Sequence, residues 1–374
     1  MIHRIGFDAK RLFNNFTGLG NYSRTLLRNL SEYHPDEAYF LYTPKVQQTP
    51  QTQFFLDSPT FNLRVPSKAR LLWRSYGMKS DIVRDKLDLY HGLSHEIPVG
   101  FPVTGIPSVV TIHDLIFKHY PDQYKWFDRQ VYDRKFRYAC ENSDLIIAIS
   151  ECTKQDIVAY YQIPEEKVRV IYQSCHEGFM VDKNPNTKET VREQYGLPED
   201  FMLYVGSLIE RKNLLGIVEA LAQLPPDLQL PVVVVGQGNT YKQRVINRAR
   251  ELNMLDKLLF IKPTFADLPA LYQQAQVFLY PSFFEGFGIP ILEALFSETP
   301  VLTSNLSSLP EAAGPDATLV DPANPEAMAD GMRRLLTDTD LRARQISEGF
   351  KHAQQFKGEQ LTAQLVEAYK MLLD

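Results

Sequence analysis

Short apolar runs alternate with amphipathic stretches along almost the whole chain, the pattern of βαβ units that build parallel sheets. In the first half these runs predict strands near residues 3–8, 38–43, 61–66, 88–91, 107–112, 145–149 and 168–172. In the second half they fall near 201–206, 231–236, 258–262, 277–281, 300–304 and 317–320. Helical patterns separate most of them, so two doubly wound α/β domains are expected, each with its own sheet. The polar stretch from His176 to Thr190 contains Gly178, Asn184, Pro185 and Asn186 and lacks sustained periodicity, which suits a linker. The expected division is an N-terminal domain over 1–178 and a C-terminal domain over 179–356. A last helical pattern follows Lys357-Gly358 and is expected to pack back on the first domain over 357–374.

The second half is organised around Pro281-Ser282-Phe283-Phe284-Glu285-Gly286-Phe287-Gly288-Ile289-Pro290-Ile291-Leu292-Glu293. The run Val277 to Tyr280 predicts a buried strand, Gly286 and Gly288 a tight loop, and Pro290 the first residue of a helix. Glu285 then lies in the loop and Glu293 about one turn into the helix. Two carboxylates flank a helix start at the carboxyl end of a strand, where open α/β sheets bind ligands. Glycines there let a ligand approach the backbone, and carboxylates accept the paired hydroxyls of a sugar or ribose. Taken singly, either glutamate is explained as well by the helix dipole, worth about 0.3 to 1 kcal/mol.

Other strand ends carry polar groups. Thr17-Gly18-Leu19-Gly20-Asn21-Tyr22 follows the first strand and opens a helix, so Gly18 and Gly20 form either a phosphate-binding loop or a turn that needs glycine. His113 and Asp114 end the strand at 108–112, in position for ligand contact, with His91 a weaker candidate on the strand before. In the second domain the strand at 201–206 runs through Ser207 to Arg211 and Lys212 just ahead of a helix. A forked cation beside a compact one suits a diphosphate, and a solvated pair with Glu210 is the alternative. Asp338-Thr339-Asp340 has the spacing of a metal motif but lies between two helical patterns, where capping accounts for it.

Composition narrows the class. A chain of 374 residues with 44% hydrophobic and 23% charged residues is a globular protein long enough for two domains. Its net charge of -5 argues against a nucleic-acid partner. Cys140, Cys152 and Cys175 are too far apart for a metal or redox pair, which suits reduced thiols in the cytoplasm. No secretion signal opens the chain and no apolar run is long enough to span a bilayer, so any membrane contact would be peripheral, at the inner face. Two segments suggest contact with an anionic membrane. In Lys68 to Tyr76, one helical face would carry Ala69, Leu72, Trp73 and Tyr76, with Arg70 and Arg74 elsewhere. Tyr124 to Tyr138 carries Lys125, Trp126, Arg129, Arg134, Lys135 and Arg137. Ordinary surface helices are the alternative for both.

Taken together, the chain resembles the family 4 retaining glycosyltransferases over nearly its whole length. The motifs that carry the resemblance are Thr17-Gly18-Leu19-Gly20-Asn21-Tyr22, Thr111-Ile112-His113-Asp114, Ser150-Glu151-Cys152-Thr153-Lys154, Arg211-Lys212-Asn213 and Glu285-Gly286-Phe287-Gly288 through Glu293. Ser307-Ser308-Leu309-Pro310-Glu311 is similar to a segment of the bacterial mannosyltransferase-like branch. The resemblance implies the GT-B architecture, two Rossmann-like doubly wound domains facing across a cleft. It also implies transfer of a hexose, with mannose the candidate, from a nucleotide sugar to a polysaccharide or lipid-linked oligosaccharide, retaining anomeric configuration without a metal or other cofactor. The nucleotide, whether GDP, UDP, ADP or dTDP, stays open.

By the same resemblance Glu285 and the backbone of Gly286, Phe287 and Gly288 would hold the donor sugar, while Glu293 accepts from the ribose. Arg211 and Lys212 would stabilise the departing diphosphate, with Ser207 beside them and Gly18 and Gly20 at its far side. His113 would approach the sugar, and the loop at Thr264 would frame the base. Two departures from the family pattern stand out: Ser207 occupies a place where many relatives carry Arg, and Glu298 one where glycine is usual. A nucleotide-sugar epimerase and a catalytically silent binding protein are the alternatives on the same architecture.

Overall fold

The computed structural model describes residues 3–66, 72–180 and 185–373. Every strand expected from the apolar pattern is present, in two all-parallel sheets. The first contains β1 (Arg4–Asp8), β2 (Ala38–Tyr42), β3 (Phe61–Arg64), β4 (Leu89–Gly92), β5 (Ser108–Ile112), β6 (Leu145–Ala148) and β7 (Val168–Val170), in the order β3-β2-β1-β4-β5-β6-β7. The second contains β8 (Met202–Val205), β9 (Val232–Val235), β10 (Leu258–Ile261), β11 (Val277–Tyr280), β12 (Val301–Ser304) and β13 (Thr318–Val320), in the order β10-β9-β8-β11-β12-β13. Strand order reverses between β1 and β4 in the first sheet and between β8 and β11 in the second, the two topological switch points.

The strands are continuous apolar runs because helices cover both sheet faces. All of β5, β11 and β12 is buried, as are Val232, Val233 and Val234 of β9. Each buried Val, Leu, Ile or Phe among them contributes about 1.5 to 3 kcal/mol of transfer free energy.

The chain divides into two compact units, Met1–Ser174 with Lys357–Asp374, and Cys175–Phe356. The first break comes before the expected boundary at 178 because the following residues pack with the second unit. Phe179 meets Tyr272 and Phe265 edge-on at 5.6 and 6.0 Å, and His176 meets Phe265 at 5.2 Å. The polar stretch expected as linker is also partly helical. Residues 181–184 lie outside the described residues, but Pro185–Tyr195 is a helix. Proline is favoured at its first position, and its polar sequence has too weak an apolar stripe to announce it.

The final helix, Gly358–Leu373, packs along Gly18–Tyr33 in the first unit. Leu365, Ala368 and Tyr369 enter the core that holds Phe7 and Ile147. A Cβ at Gly358 would overlap the Asn29 side chain, so glycine allows the close approach. The Tyr369 hydroxyl lies 2.6 Å from His91 Nδ1, and His91 Nε2 lies 2.8 Å from Thr111 Oγ1.

The first segment expected to contact a membrane does not present the face expected of it. Lys68, Ala69, Arg70 and Leu71 lie outside the described residues, and Trp73–Gly77 is a π-helical turn in which regular helical spacing does not hold. Leu72 and Tyr76 are exposed, whereas Trp73 is buried and donates its indole N–H to Asp81 Oδ2 at 2.8 Å. Arg74 is largely withdrawn from solvent between Asp8 and Glu96, because two carboxylates at the sheet end replace its lost hydration. The second segment differs: in the helix Trp126–Asn142, Trp126 and Phe127 are each 68% exposed. Among the described residues no helix is long and apolar enough to cross a membrane.

Candidate active site

The switch point of the second sheet gathers the strongest cluster of charge. After β8 the chain makes a short turn, Glu210–Lys212, and enters the helix Leu214–Leu221 through Asn213, which is left-handed at φ 57°. The Asn213 side chain accepts from Gly216 N–H at 3.2 Å and donates to the Pro322 carbonyl at 2.7 Å, which fixes the turn carrying Arg211 and Lys212. After β11 the loop brings Glu285 to the same place. Glu285 Oε1 lies 2.9 Å from Arg211 Nη1 and 3.0 Å from Lys212 Nζ, and it accepts from the Tyr280 hydroxyl at 3.1 Å. Lys212 Nζ also donates to Tyr280 at 2.5 Å, and Arg211 donates to the Phe284 carbonyl.

The glutamate loop is held from below as well. Ser307 Oγ accepts from Glu285 N–H at 3.1 Å, and the Ser308 hydroxyl lies within donating distance of the carbonyls of Glu285 and Phe287, at 2.8 and 3.0 Å. Ser307 is itself left-handed, at φ 53°. Backbone strain here is balanced by hydrogen bonds that aim one carboxylate.

The two glutamates have opposite electrostatics. Burial alone would raise the Glu285 carboxyl, but Lys212 and Arg211 outweigh it and hold the group at about 2. For Glu293 burial wins: it pushes the carboxyl to about 7 against the Tyr272 hydroxyl, which donates to Oε2 at 2.8 Å, and against the charge of Lys212. One carboxylate is permanently charged; the other exchanges its proton near neutrality. Cys175 lies close enough to Glu293 for that carboxylate to raise its thiol further, after burial has done most of the work.

The remaining candidates separate into groups. Gly288, at φ 126°, caps the helix Ile289–Phe296, which makes Pro290 its second residue rather than its first. The Phe287 ring is buried against Phe356 at 5.4 Å, so only its backbone belongs to the loop. Ser207 is exposed at the end of β8, and its carbonyl accepts from Tyr204 at 3.2 Å. The Thr264 hydroxyl donates to Asp267 Oδ2 at 2.7 Å in a capping box and makes no side-chain hydrogen bond to the Glu285 cluster.

In the first domain Gly18 faces open space, whereas a Cβ at Gly20 would overlap the Asn15 carbonyl. The Gly20 N–H is also used, donating to Asn15 Oδ1 at 3.1 Å. Packing therefore demands glycine at 20 and leaves 18 open. The His113 ring is buried, with Nε2 2.9 Å from the Leu93 carbonyl and Nδ1 3.0 Å from Gln173 Nε2. A carbonyl can only accept, so Nε2 carries the proton, Nδ1 accepts, and Gln173 must turn its amide nitrogen inward. Burial lowers this imidazole to about 4, which keeps it neutral. Both ring nitrogens are spent within the domain, which suits a positioning role better than proton transfer.

Tyr280, Tyr272 and Gln173 escape sequence reading because each ends or follows an apolar run, where a tyrosine or glutamine looks like core or loop. Among the described residues no group of three or more His, Cys, Asp or Glu side chains gathers to hold a metal. Asp338 instead caps the helix Thr339–Ala353, its Oδ1 accepting from Leu341 N–H at 2.9 Å.

Two doubly wound domains, one with paired cations and a glutamate at its switch point, are the architecture of the GT-B glycosyltransferases. The family described as "Glycosyltransferase Family 4" matches residues 16–174, and "Glycosyl transferases group 1" matches residues 187–352. The chain belongs to the family 4 glycosyltransferases. It is 28% identical to O-antigen chain mannosyltransferase B of Escherichia coli over 99% of this chain and all of that one. It is also 28% identical to the D-inositol 3-phosphate glycosyltransferase of Corynebacterium glutamicum, over 71% of this chain and 66% of that one. The fold matches the crystal structure of Anabaena HepE in complex with UDP and glucose, with a TM-score of 0.77 at 18% identity over 99% of this chain and 100% of that one.

Proposed function

We propose that this protein transfers a hexose, with mannose the candidate, from a nucleotide sugar to a glycan or lipid-linked oligosaccharide, with retention of anomeric configuration and without a catalytic metal. The observation that carries the reading is the Glu285 cluster. Arg211, Lys212 and Tyr280 all engage Oε1, which leaves Oε2 to accept a sugar hydroxyl. Glu293, one turn into the following helix, would accept from the ribose. Breaking the anomeric bond puts negative charge on the diphosphate, and fixed cations stabilise that charge more in the transition state than in the bound donor. Mannose rests on the likeness to the O-antigen chain mannosyltransferase, and the nucleotide is undecided among GDP, UDP, ADP and dTDP.

Melting temperatures with each nucleotide test the donor half of this reading, because a ligand bound only to the native state stabilises it by about 2.7 kcal/mol at 100 times its dissociation constant. A selective rise, lost in Glu293→Ala, is expected. Absence of a rise with all four would overturn the donor site. Product analysis tests the rest: a retaining transferase needs an acceptor and keeps the anomeric configuration, an epimerase changes the sugar without an acceptor, and a silent binder yields no product. We further propose that Trp126 and Phe127 rest on an anionic membrane; equal vesicle binding by the wild type and Trp126→Ser at low salt would remove that role.

A further inference from the structure

The switch point of the first sheet holds a second charged cluster, outside the donor site proposed above. Gly92 ends β4, and a Cβ there would overlap the Glu96 carbonyl, so the chain doubles back tightly and delivers Glu96 towards the end of β1. Asp8 ends β1 and is fully buried. Arg74 bonds both: its Nε lies 2.7 Å from Asp8 Oδ2 and its Nη1 2.7 Å from Glu96 Oε1, while Lys135 takes Glu96 Oε2 at 3.1 Å. Arg74 and Lys135 are thus the direct partners of these two carboxylates, which reach Lys10 only through space.

Lys10 and Arg11 open the short helix that follows β1 after Ala9, and neither side chain has an ion pair or hydrogen bond among the described residues. Arg11 Nε is buried with no hydrogen-bond partner among the described residues. Burial and then Arg74 lower the Lys10 pKa against the pull of Glu96 and Asp8, and Arg11 adds its charge to the field at Lys10, His95 and His113. Both histidines are held neutral by burial and offer no counter-charge. Four cations thus meet two carboxylates where an open α/β sheet binds its ligand. A partly desolvated guanidinium without a partner is costly, and an anion would relieve it.

We propose that Lys10 and Arg11 bind a phosphoryl group carried by the acceptor at the switch point of the first sheet. The forked guanidinium and the compact ammonium together suit two or three phosphoryl oxygens better than a single carboxylate. Arg74, already shared between Asp8 and Glu96, keeps the floor of the site rigid. The assignment rests on the chain being a glycosyltransferase whose first domain takes the acceptor. The group could come from a soluble sugar phosphate or from a lipid diphosphate, which share this chemistry.

The test is calorimetric titration of the full-length protein, with its donor site filled by whichever nucleotide raises the melting temperature. Inorganic pyrophosphate, glucose 1-phosphate and farnesyl diphosphate are the titrants. Wild type is expected to bind pyrophosphate, and Arg11→Gln and Lys10→Gln each to weaken it at least tenfold while nucleotide affinity is unchanged. Tighter binding of glucose 1-phosphate points to a soluble acceptor, and tighter binding of farnesyl diphosphate to a lipid-linked one. Equal pyrophosphate affinity in wild type and Arg11→Gln, or no binding by wild type, overturns the site. Melting without ligand separates a structural role: removing an uncompensated charge should leave the melting temperature equal or higher, whereas a fall would make Arg11 a scaffold residue. If no nucleotide binds, the donor reading fails, and pyrophosphate alone still decides the anion site.

Discussion

Lys212 Nζ stands 3.0 Å from Glu285 Oε1, and both side chains reach each other from opposite sides of the β8–β11 switch point. Arg211 and Tyr280 bond the same oxygen, so Lys212 is proposed to act on the departing diphosphate rather than only to hold Glu285. Lys212→Ala is therefore expected to lower turnover at least tenfold, and up to the roughly 2.7 to 4 kcal/mol, about a hundred- to a thousandfold, that one preorganised donor supplies. Glu285 keeps two partners in that variant, so circular dichroism should show an intact fold. Near-normal initial rates would remove Lys212 from the mechanism.

Glu293 makes unfolding depend on pH. Its folded pKa, about 7, lies above the ordinary carboxyl value of 4.5, so its contribution to stability is complete below about 4.5 and is lost as pH rises through 7. The size is roughly 3 kcal/mol from the shift alone. Buried His91 and His113 act in the opposite sense, losing stability as pH falls below the free imidazole value. The wild type minus Glu293→Gln difference isolates the carboxyl: in urea melts it should shrink steadily from pH 5 to pH 7.5. A flat difference would mean that Glu293 is charged throughout.

Two glycines of one motif should behave differently. Gly20→Ala would drive a methyl into the Asn15 carbonyl and should cost about 1 to 3 kcal/mol, the range for overpacking, or unfold the loop. Gly18→Ala meets open space and should melt within about 0.5 kcal/mol of wild type. If Gly18 faces the donor, nucleotide affinity falls in that variant alone. Equal stability losses in the two variants would contradict this division.

That division shows how much was legible in the sequence. The strands were, because parallel strands buried on both faces leave uninterrupted apolar runs that need no knowledge of their neighbours. The Glu285 to Glu293 spacing was, because loop and helix start are local. Arg74 was not: its burial depends on Asp8, far away in sequence, and no helical wheel includes that partner. Tyr280 and Tyr272 were hidden for a related reason. Each sits in an apolar stretch, and only the folded structure shows its hydroxyl against a carboxylate. The helix Pro185–Tyr195 was missed because a mostly polar helix has little periodicity to detect.

Tyr369→Phe removes the hydroxyl that meets His91 Nδ1 and leaves that buried nitrogen unpaired. The expected loss is about 1 to 3 kcal/mol in urea unfolding. Because His91 Nε2 lies beside Thr111, which the Tyr22 hydroxyl meets at 3.1 Å, exchange protection should fall in Gly18–Tyr33 as well as in the final helix. Protection lost only in the final helix would show that this hydrogen-bond chain does not couple the two.

Transfer should proceed at full rate in excess chelator if, as proposed, Arg211 and Lys212 take the charge of the departing diphosphate. A rate that collapses with chelator and returns with a divalent ion would overturn the metal-free mechanism.

The final helix also bears on how the chain is made. Cys175–Phe356 is one continuous segment, whereas the first unit needs residues from both ends of the sequence. During synthesis the second unit can close while the first still waits for Tyr369 to cover His91. Until then a buried imidazole and an apolar sheet face lie open, and a chain cut short before Lys357 would keep them so. Such a fragment should be a chaperone client and a protease substrate even with its donor-side cations intact.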